Sequence, residues 1–237
     1  MKIYGRRYLK AIALVVHRPL QPVLQALGID PKPLYEFAYW KSRQLEEGTL
    51  HNRWYQEIFT TRLNLSPEFY AGKRILDIGS GPRGSLEWAD MAEERVCLDP
   101  LVPRYRAFGI EKHKAHYVDA PAERIPFPDG HFDAVSSINS LDHVDDVDQA
   151  IREMTRVLAP GGMILLIVEI HPRPTIAEPH VLPWDLAKRF GGLQVLEELH
   201  LAKPADGSGY FGAHLPFDHA CPSTKSGFLI AKLVKPG

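Results

Sequence analysis

An apolar run, Arg74-Ile75-Leu76-Asp77-Ile78, leads directly into Gly79-Ser80-Gly81-Pro82-Arg83-Gly84. Glycines at 79, 81 and 84 permit a tight turn and let a ligand approach the main chain without meeting a Cβ. Asp99 stands twenty-two residues after Asp77, at the end of the next apolar run. A carboxylate there can accept hydrogen bonds from both hydroxyls of a ribose. These residues together specify a nucleotide-containing ligand. The glycine spacing alone also fits a dinucleotide, so a nicotinamide-dependent oxidoreductase is the competing reading. Two features oppose it. Asp77 is a carboxylate where dinucleotide folds keep a small apolar residue, and it suits a ligand's cationic ammonium. The glycine strand also begins about 73 residues into the chain, behind a segment with no strand pattern.

A second group of residues has the chemistry of proton transfer. Asp142-His143 follows a fourth apolar run, and Glu169, His171, Glu178 and His180 end or follow a fifth. Open α/β sheets place their ligands at such strand ends. His143, His171 and His180, with Asp142, are therefore the candidate catalytic groups, a histidine acting as general base. His143 has a structural alternative, bracing the wall of the cofactor site. Glu169, His171, Glu178, His180 and Asp142 are also residue types that bind divalent ions. Their spacing matches no closed metal motif, and the reading adopted is a hydrogen-bonding substrate rim with no metal. His214, Asp218 and His219 lie in a later loop. Tyr210-Phe211, beside Asp206-Gly207-Ser208-Gly209, could form a lid.

The elements that must position these groups alternate after Arg74. Strands are expected at 74–78, 95–98, 115–118, 132–138, 163–170, 194–201 and 227–234, with helices between several of them. The clearest helix is 147–158, stopped by Pro160-Gly161-Gly162. This pattern predicts a Rossmann-like, doubly wound, mostly parallel seven-stranded sheet whose last strand is antiparallel. Residues 1–70 read as an N-terminal helical cap segment, with helices at 34–47 and 50–63, and residues 71–237 as the ligand-binding domain. The aromatic residues of the cap (Tyr35, Phe37, Tyr39, Trp40, Trp54, Tyr55, Phe59) are expected to be mostly core. The cap could cover the pocket, bind a partner or mediate a homodimer.

Five segments in order make the chain similar to the class I S-adenosylmethionine-dependent methyltransferases, of the small-molecule type with a single Rossmann-like domain. They are Ile75–Gly81, the acid Asp99, Ala122–Asp129 with Phe132–Val135, Asn139–Val144, and Arg156–Gly162. The resemblance implies S-adenosylmethionine as cofactor. It places Asp77, Gly79, Ser80 and Gly81 at the methionyl end, Asp99 and Pro100 at the ribose, Ala122 and Glu123 at the adenine, and Asn139 beside the sulfonium. Two departures stand out. The family's third glycine position is Arg83 here, with glycine at 84. The acid that often precedes the Ala-Glu pair is Pro121, which leaves Asp119, Glu123 or main chain for the adenine amine. Methyl transfer to O, N or C of a metabolite is implied, with a non-catalytic cofactor-binding module as a further alternative.

The totals narrow the partners. Of 237 residues, 45% are hydrophobic and 24% charged, and the formal net charge is -1. Such a balance gives no global pull toward nucleic acid or anionic membrane. Residues 139–142, Asn-Ser-Leu-Asp, also lack the prolines and aromatic with which nucleic-acid amino-methyltransferases hold a flipped base. A small-molecule substrate is expected, and no nucleic acid. Two cysteines, Cys97 and Cys221, make no metal or disulfide pattern, which points to the cytoplasm. Basic residues Lys2, Arg6, Arg7 and Lys10 precede the apolar run 11–16, but His17-Arg18 interrupts it. A short amphipathic helix is expected there, with neither a secretory signal nor a transmembrane span.

Overall fold

The computed structural model describes residues 30–175, 177–206, 208–221 and 226–237, so the N-terminal apolar run 11–16 lies outside the described residues. The chain divides into two compact units, Met1–His51 and Asn52–Gly237. Residues 52–70, grouped with the cap from sequence, thus belong to the second unit. In the first, helix α1 (Lys32–Glu47) carries Pro33 in its first turn, where no amide hydrogen bond is lost. It ends at Gly48, whose φ of 80° suits glycine. No residue of α1 is fully buried, so the core role expected for its aromatics is not met there.

In the second unit, the expected helix 50–63 is shorter: α2 (Tyr55–Glu57) widens into a π-helical turn, Ile58–Arg62. Seven strands follow: β1 (Arg74–Ile78), β2 (Glu94–Leu98), β3 (His116–Val118), β4 (Phe132–Ile138), β5 (Leu158–Ile170), β6 (Gln194–Ala202) and β7 (Gly227–Val234). They form one sheet in the order β3-β2-β1-β4-β5-β7-β6. The first five are parallel, and β7 runs antiparallel between β5 and β6. Among the described residues no helix is long and apolar enough to cross a membrane.

Strand alternation sorts the core onto the two sheet faces. Leu76, Ile78, Val96, Leu98 and Val135 share one face with Ala150, Ile151, Met154 and Val157 of helix α4 (Val147–Val157); α3 is the short Val102–Tyr105. Those α4 residues, with Val147, recur at the spacing of one helical stripe. Asp146 caps α4, its carboxylate accepting from the Gln149 amide at 2.9 Å, a contact worth about 1 kcal/mol. Ile75, Cys97, Ala134, Leu165 and Ile167 lie on the other face, under Phe59, Tyr70 and Leu86. Among the described residues that face has no long helix. The β1–β2 connection, residues 79–93, is a run of turns, because Pro82 and the left-handed glycines leave too few residues to wind one. Helix-for-strand alternation is realised in full only between β4 and β5. There Pro160-Gly161-Gly162 sits inside β5 as an irregularity, where the pairing shifts from Phe132↔Leu158 to Ala134↔Met163.

Candidate functional site

The parallel pairing brings the ends of β1, β2 and β4 side by side, so Asp77, Asp99 and Asn139 emerge at one edge of the sheet. Gly79, Gly81 and Gly84 all adopt positive φ, at 66°, 60° and 75°. At Gly79 space is closed as well: an added Cβ would fall 2.3 Å from Ser140 Cβ. Ser140 Oγ donates to the Ile78 carbonyl at 2.7 Å and shares a 2.8 Å bond with Ser137 Oγ. Gly79→Ala therefore combines left-handed strain with a clash against a fixed serine. It is expected to cost about 2 to 4 kcal/mol, read as a lower urea midpoint at unchanged m-value.

Asp77 is 2% exposed. Its Oδ2 accepts from Ser85 Oγ at 2.5 Å and its Oδ1 from Ser136 Oγ at 2.7 Å. Burial pushes its pKa up to about 6, against the pull of the two hydroxyls. The carboxylate thus sits in a low-dielectric site with hydroxyl neighbours, a setting that gains from a cation. Ser85 and Ser136 are absent from the sequence reading. Ser136 reaches Asp77 only through the register of the paired strands.

Asp99 is 5% exposed and ties the glycine turn to the end of β2. Gly81 N–H donates to its Oδ2 at 3.1 Å and Leu101 N–H to its Oδ1 at 2.9 Å, while Tyr105 hydroxyl lies 3.4 Å from Oδ2. Ser80 is buried beside it and Pro100 exposed. Arg83, standing where the family's third glycine would be, is buried with its guanidinium 5.0 Å from the Trp54 ring. Ala122 is buried. Glu123 accepts from the Asp145 and Asp146 amides at 2.7 and 2.9 Å, so this carboxylate anchors the loop before α4. Asn139 takes a left-handed φ of 52° and accepts from Glu169 N–H through Oδ1 at 3.1 Å.

The proton-transfer candidates converge only in part. Asp142 has 0% exposure and neither carboxylate oxygen has a hydrogen-bond partner. Burial raises its pKa, with His143 pulling the other way. His143 Nε2 lies 3.9 Å from Oδ1 and His171 Nε2 3.7 Å from Oδ2. Glu178 offers a ligand atom within 4.8 Å of those of Asp142 and His143. His180 is turned aside, its Nε2 bonded to the Val144 carbonyl at 2.9 Å. Glu169 is ion-paired with Lys203, and His219 pairs with His200 at 2.8 Å. Tyr210 and Phe211 stack at 4.7 Å, pack on the second core face and meet Phe228 and Trp54 edge-on. They are core packing in this structure.

Residues 76–166 match the family described as methyltransferase domain. The chain is 38% identical over 135 residues to the ubiquinone/menaquinone biosynthesis C-methyltransferase UbiE of Pseudomonas putida, covering 51% of this chain and 49% of that one. It is 38% identical over 130 residues to the protein of that name from Ectopseudomonas oleovorans, covering 48% of this chain and 71% of the other. The chain spans about half the length of the first of these relatives. Among solved structures, the N-methyltransferase NodS from Bradyrhizobium japonicum WM9, in complex with S-adenosyl-l-homocysteine, superposes with a TM-score of 0.56 at 18% identity, over 77% of this chain and 87% of that one. That likeness is one of fold.

Proposed function

Because the chain belongs to the class I S-adenosylmethionine-dependent methyltransferase family, we propose that it transfers a methyl group from S-adenosylmethionine to carbon of a small-molecule acceptor. The observation that carries the cofactor half is the Asp99 carboxylate, fixed by two backbone amides beside a left-handed glycine turn. Carbon as the acceptor atom is supported by the activity in the name of the UbiE relatives. When bound, S-adenosylmethionine supplies a methyl on a sulfonium whose departure leaves a neutral thioether.

In this reading Asp77 faces the methionyl ammonium, with Gly79, Ser80 and Gly81 forming the adjoining main-chain wall. Asp99 accepts from the ribose hydroxyls, with Pro100 beside it. Ala122 lies along the adenine, and Glu123 shapes that wall through its hold on the 145–146 amides. Asn139 closes the floor at the end of β4. Transfer is an in-line displacement, so the chain's main work is positioning and water exclusion. A carbon acceptor must also lose a proton, and Asp142, His143 and His171 form the cluster that serves this step. His143 is the group in it nearest solvent, with 27% side-chain exposure against 0% for Asp142 and 8% for His171. With neither cysteine in a disulfide, the cytoplasm is the compartment proposed.

His143→Ala is expected to lower kcat by about 10²- to 10⁴-fold while the S-adenosylhomocysteine Kd stays within threefold. Equal loss of binding would instead make His143 a brace of the cofactor wall. The function itself is tested by incubating the protein with methyl-labelled S-adenosylmethionine and a panel of phenols and hydroquinones. Carbon-bound label located by NMR supports the reading; label on O or N revises the acceptor atom.

A further inference from the structure

We propose that Asp142, His143 and Glu178, with His171 beside them, form a binding site for one divalent transition-metal ion, such as Zn²⁺. No spacing motif in the sequence announces it; folding brings Asp142-His143, from after β4, to His171 and Glu178, from after β5.

The strongest observation is the Asp142 carboxylate, which is fully buried and receives no hydrogen bond at either oxygen. Burying such a group uncompensated is costly, and a cation is one remedy. The second is His171. Its Nδ1 lies 2.6 Å from the Arg173 carbonyl, which can only accept, so Nδ1 carries the hydrogen. In the neutral imidazole the Nε2 lone pair then points into the protein, buried and without a hydrogen-bond partner, 3.7 Å from Asp142 Oδ2. A backbone carbonyl on the far nitrogen is how metal-bound histidines are commonly oriented. Two acceptor atoms facing each other at that distance repel unless a proton or a metal ion stands between them.

The spacing suits an ion. Ligand atoms about 2.0–2.2 Å from a metal lie about 3.0 Å apart at a right angle and about 4.4 Å apart when opposed. His143 Nε2 stands 3.9 Å from Asp142 Oδ1, inside that interval, and His171 Nε2 stands 3.7 Å from the other oxygen, Oδ2. The ligand atoms of Asp142, His143 and Glu178 lie within 4.8 Å of one another, so the set would close by drawing in around the ion. Thr175 fixes Glu178, its Oγ1 donating to Glu178 Oε2 at 2.9 Å and accepting from the Glu178 amide at 3.0 Å, which leaves Oε1 as the oxygen free of that contact. Two imidazoles with two carboxylates favour Zn²⁺, Mn²⁺ or Fe²⁺ over Mg²⁺ or Ca²⁺.

The consequence for catalysis rests on the methyl-transfer reading. With the ion bound, His143 acts as a ligand in place of the general-base role given above: the ion would hold an oxygen of the acceptor and stabilise its ionised form, favouring an enol or phenol whose neighbouring carbon is methylated.

The test is independent of turnover. Protein stripped with EDTA and desalted is titrated with ZnCl₂ by calorimetry and with CoCl₂ by visible absorption. One Zn²⁺ per chain, Co²⁺ d–d bands and no response to MgCl₂ are expected. Asp142→Asn and Glu178→Gln should each weaken Zn²⁺ binding by at least about tenfold, and His219→Ala should leave it unchanged. Glu178 is only partly buried, so its variant reports even if Asp142→Asn fails to fold. Absence of saturable Zn²⁺ and Co²⁺ binding, or binding that survives Glu178→Gln or is lost in His219→Ala, overturns the proposal. Titration of the same samples with S-adenosylhomocysteine shows separately whether the cofactor reading stands.

Discussion

Asp99→Ala is expected to weaken S-adenosylhomocysteine binding by about a hundredfold or more. Two ribose hydroxyls lose a charged acceptor, and hydrogen bonds to charged groups are each worth about 1.5–3 kcal/mol, against 1.4 kcal/mol per tenfold. The same change leaves the Gly81 and Leu101 amides without the carboxylate to which they donate at 3.1 and 2.9 Å, so the glycine turn loosens as well. Asp99→Asn separates the two effects. It keeps one carbonyl acceptor and nearly the same shape, and is expected to fall between wild type and Asp99→Ala. Calorimetric titration of the three proteins is the check. Wild-type affinity in Asp99→Ala would remove Asp99 from the cofactor site.

Asp77→Asn should raise the stability of the ligand-free protein at neutral pH while impairing cofactor binding. Burial raises the folded-state pKa to about 6 from 3.8, so between those values the native state binds more protons than the unfolded chain. Stability then falls as pH rises from about 4 to about 6 and is flat above. Two pKa units correspond to about 3 kcal/mol. An asparagine carries no such penalty, and Ser85 Oγ can accept where it now donates. The variant should therefore match wild type at pH 4 and exceed it by about 2 to 3 kcal/mol at pH 8, measured by urea unfolding. S-adenosylhomocysteine, whose ammonium loses its counter-charge, should bind at least tenfold more weakly to the variant. In the wild type its affinity should fall as pH drops below 6. A variant less stable at pH 8 than at pH 4, relative to wild type, would mean that Asp77 is already charge-compensated within the protein.

Much of this arrangement is legible in the sequence because it depends on local signals. Arg74–Ile78, Phe132–Ile138 and Gly227–Val234 are read with their observed ends, since each is a short apolar run bounded by turn residues. The Pro160-Gly161-Gly162 segment follows a helix that ends at Val157, as its composition suggests, and what the sequence does not show is that β5 already begins at Leu158, paired with Phe132. Asp77 and Asp99 are singled out by spacing. Their partners Ser85, Ser136 and Tyr105 are not, because only the register of neighbouring strands and the packing of turns bring them near. His180 and Glu169 have the chemistry of the cluster, yet the Val144 carbonyl and Lys203 take them away from it. No one-dimensional pattern carries that information.

The glycine turn and its two acids are expected to bind a sulfur cofactor. Calorimetric titration of the purified chain with S-adenosylhomocysteine and with NADH, in parallel, addresses this most directly. Micromolar binding of one S-adenosylhomocysteine per chain, with no heat from NADH, is the predicted result. Binding of NADH without S-adenosylhomocysteine would contradict it.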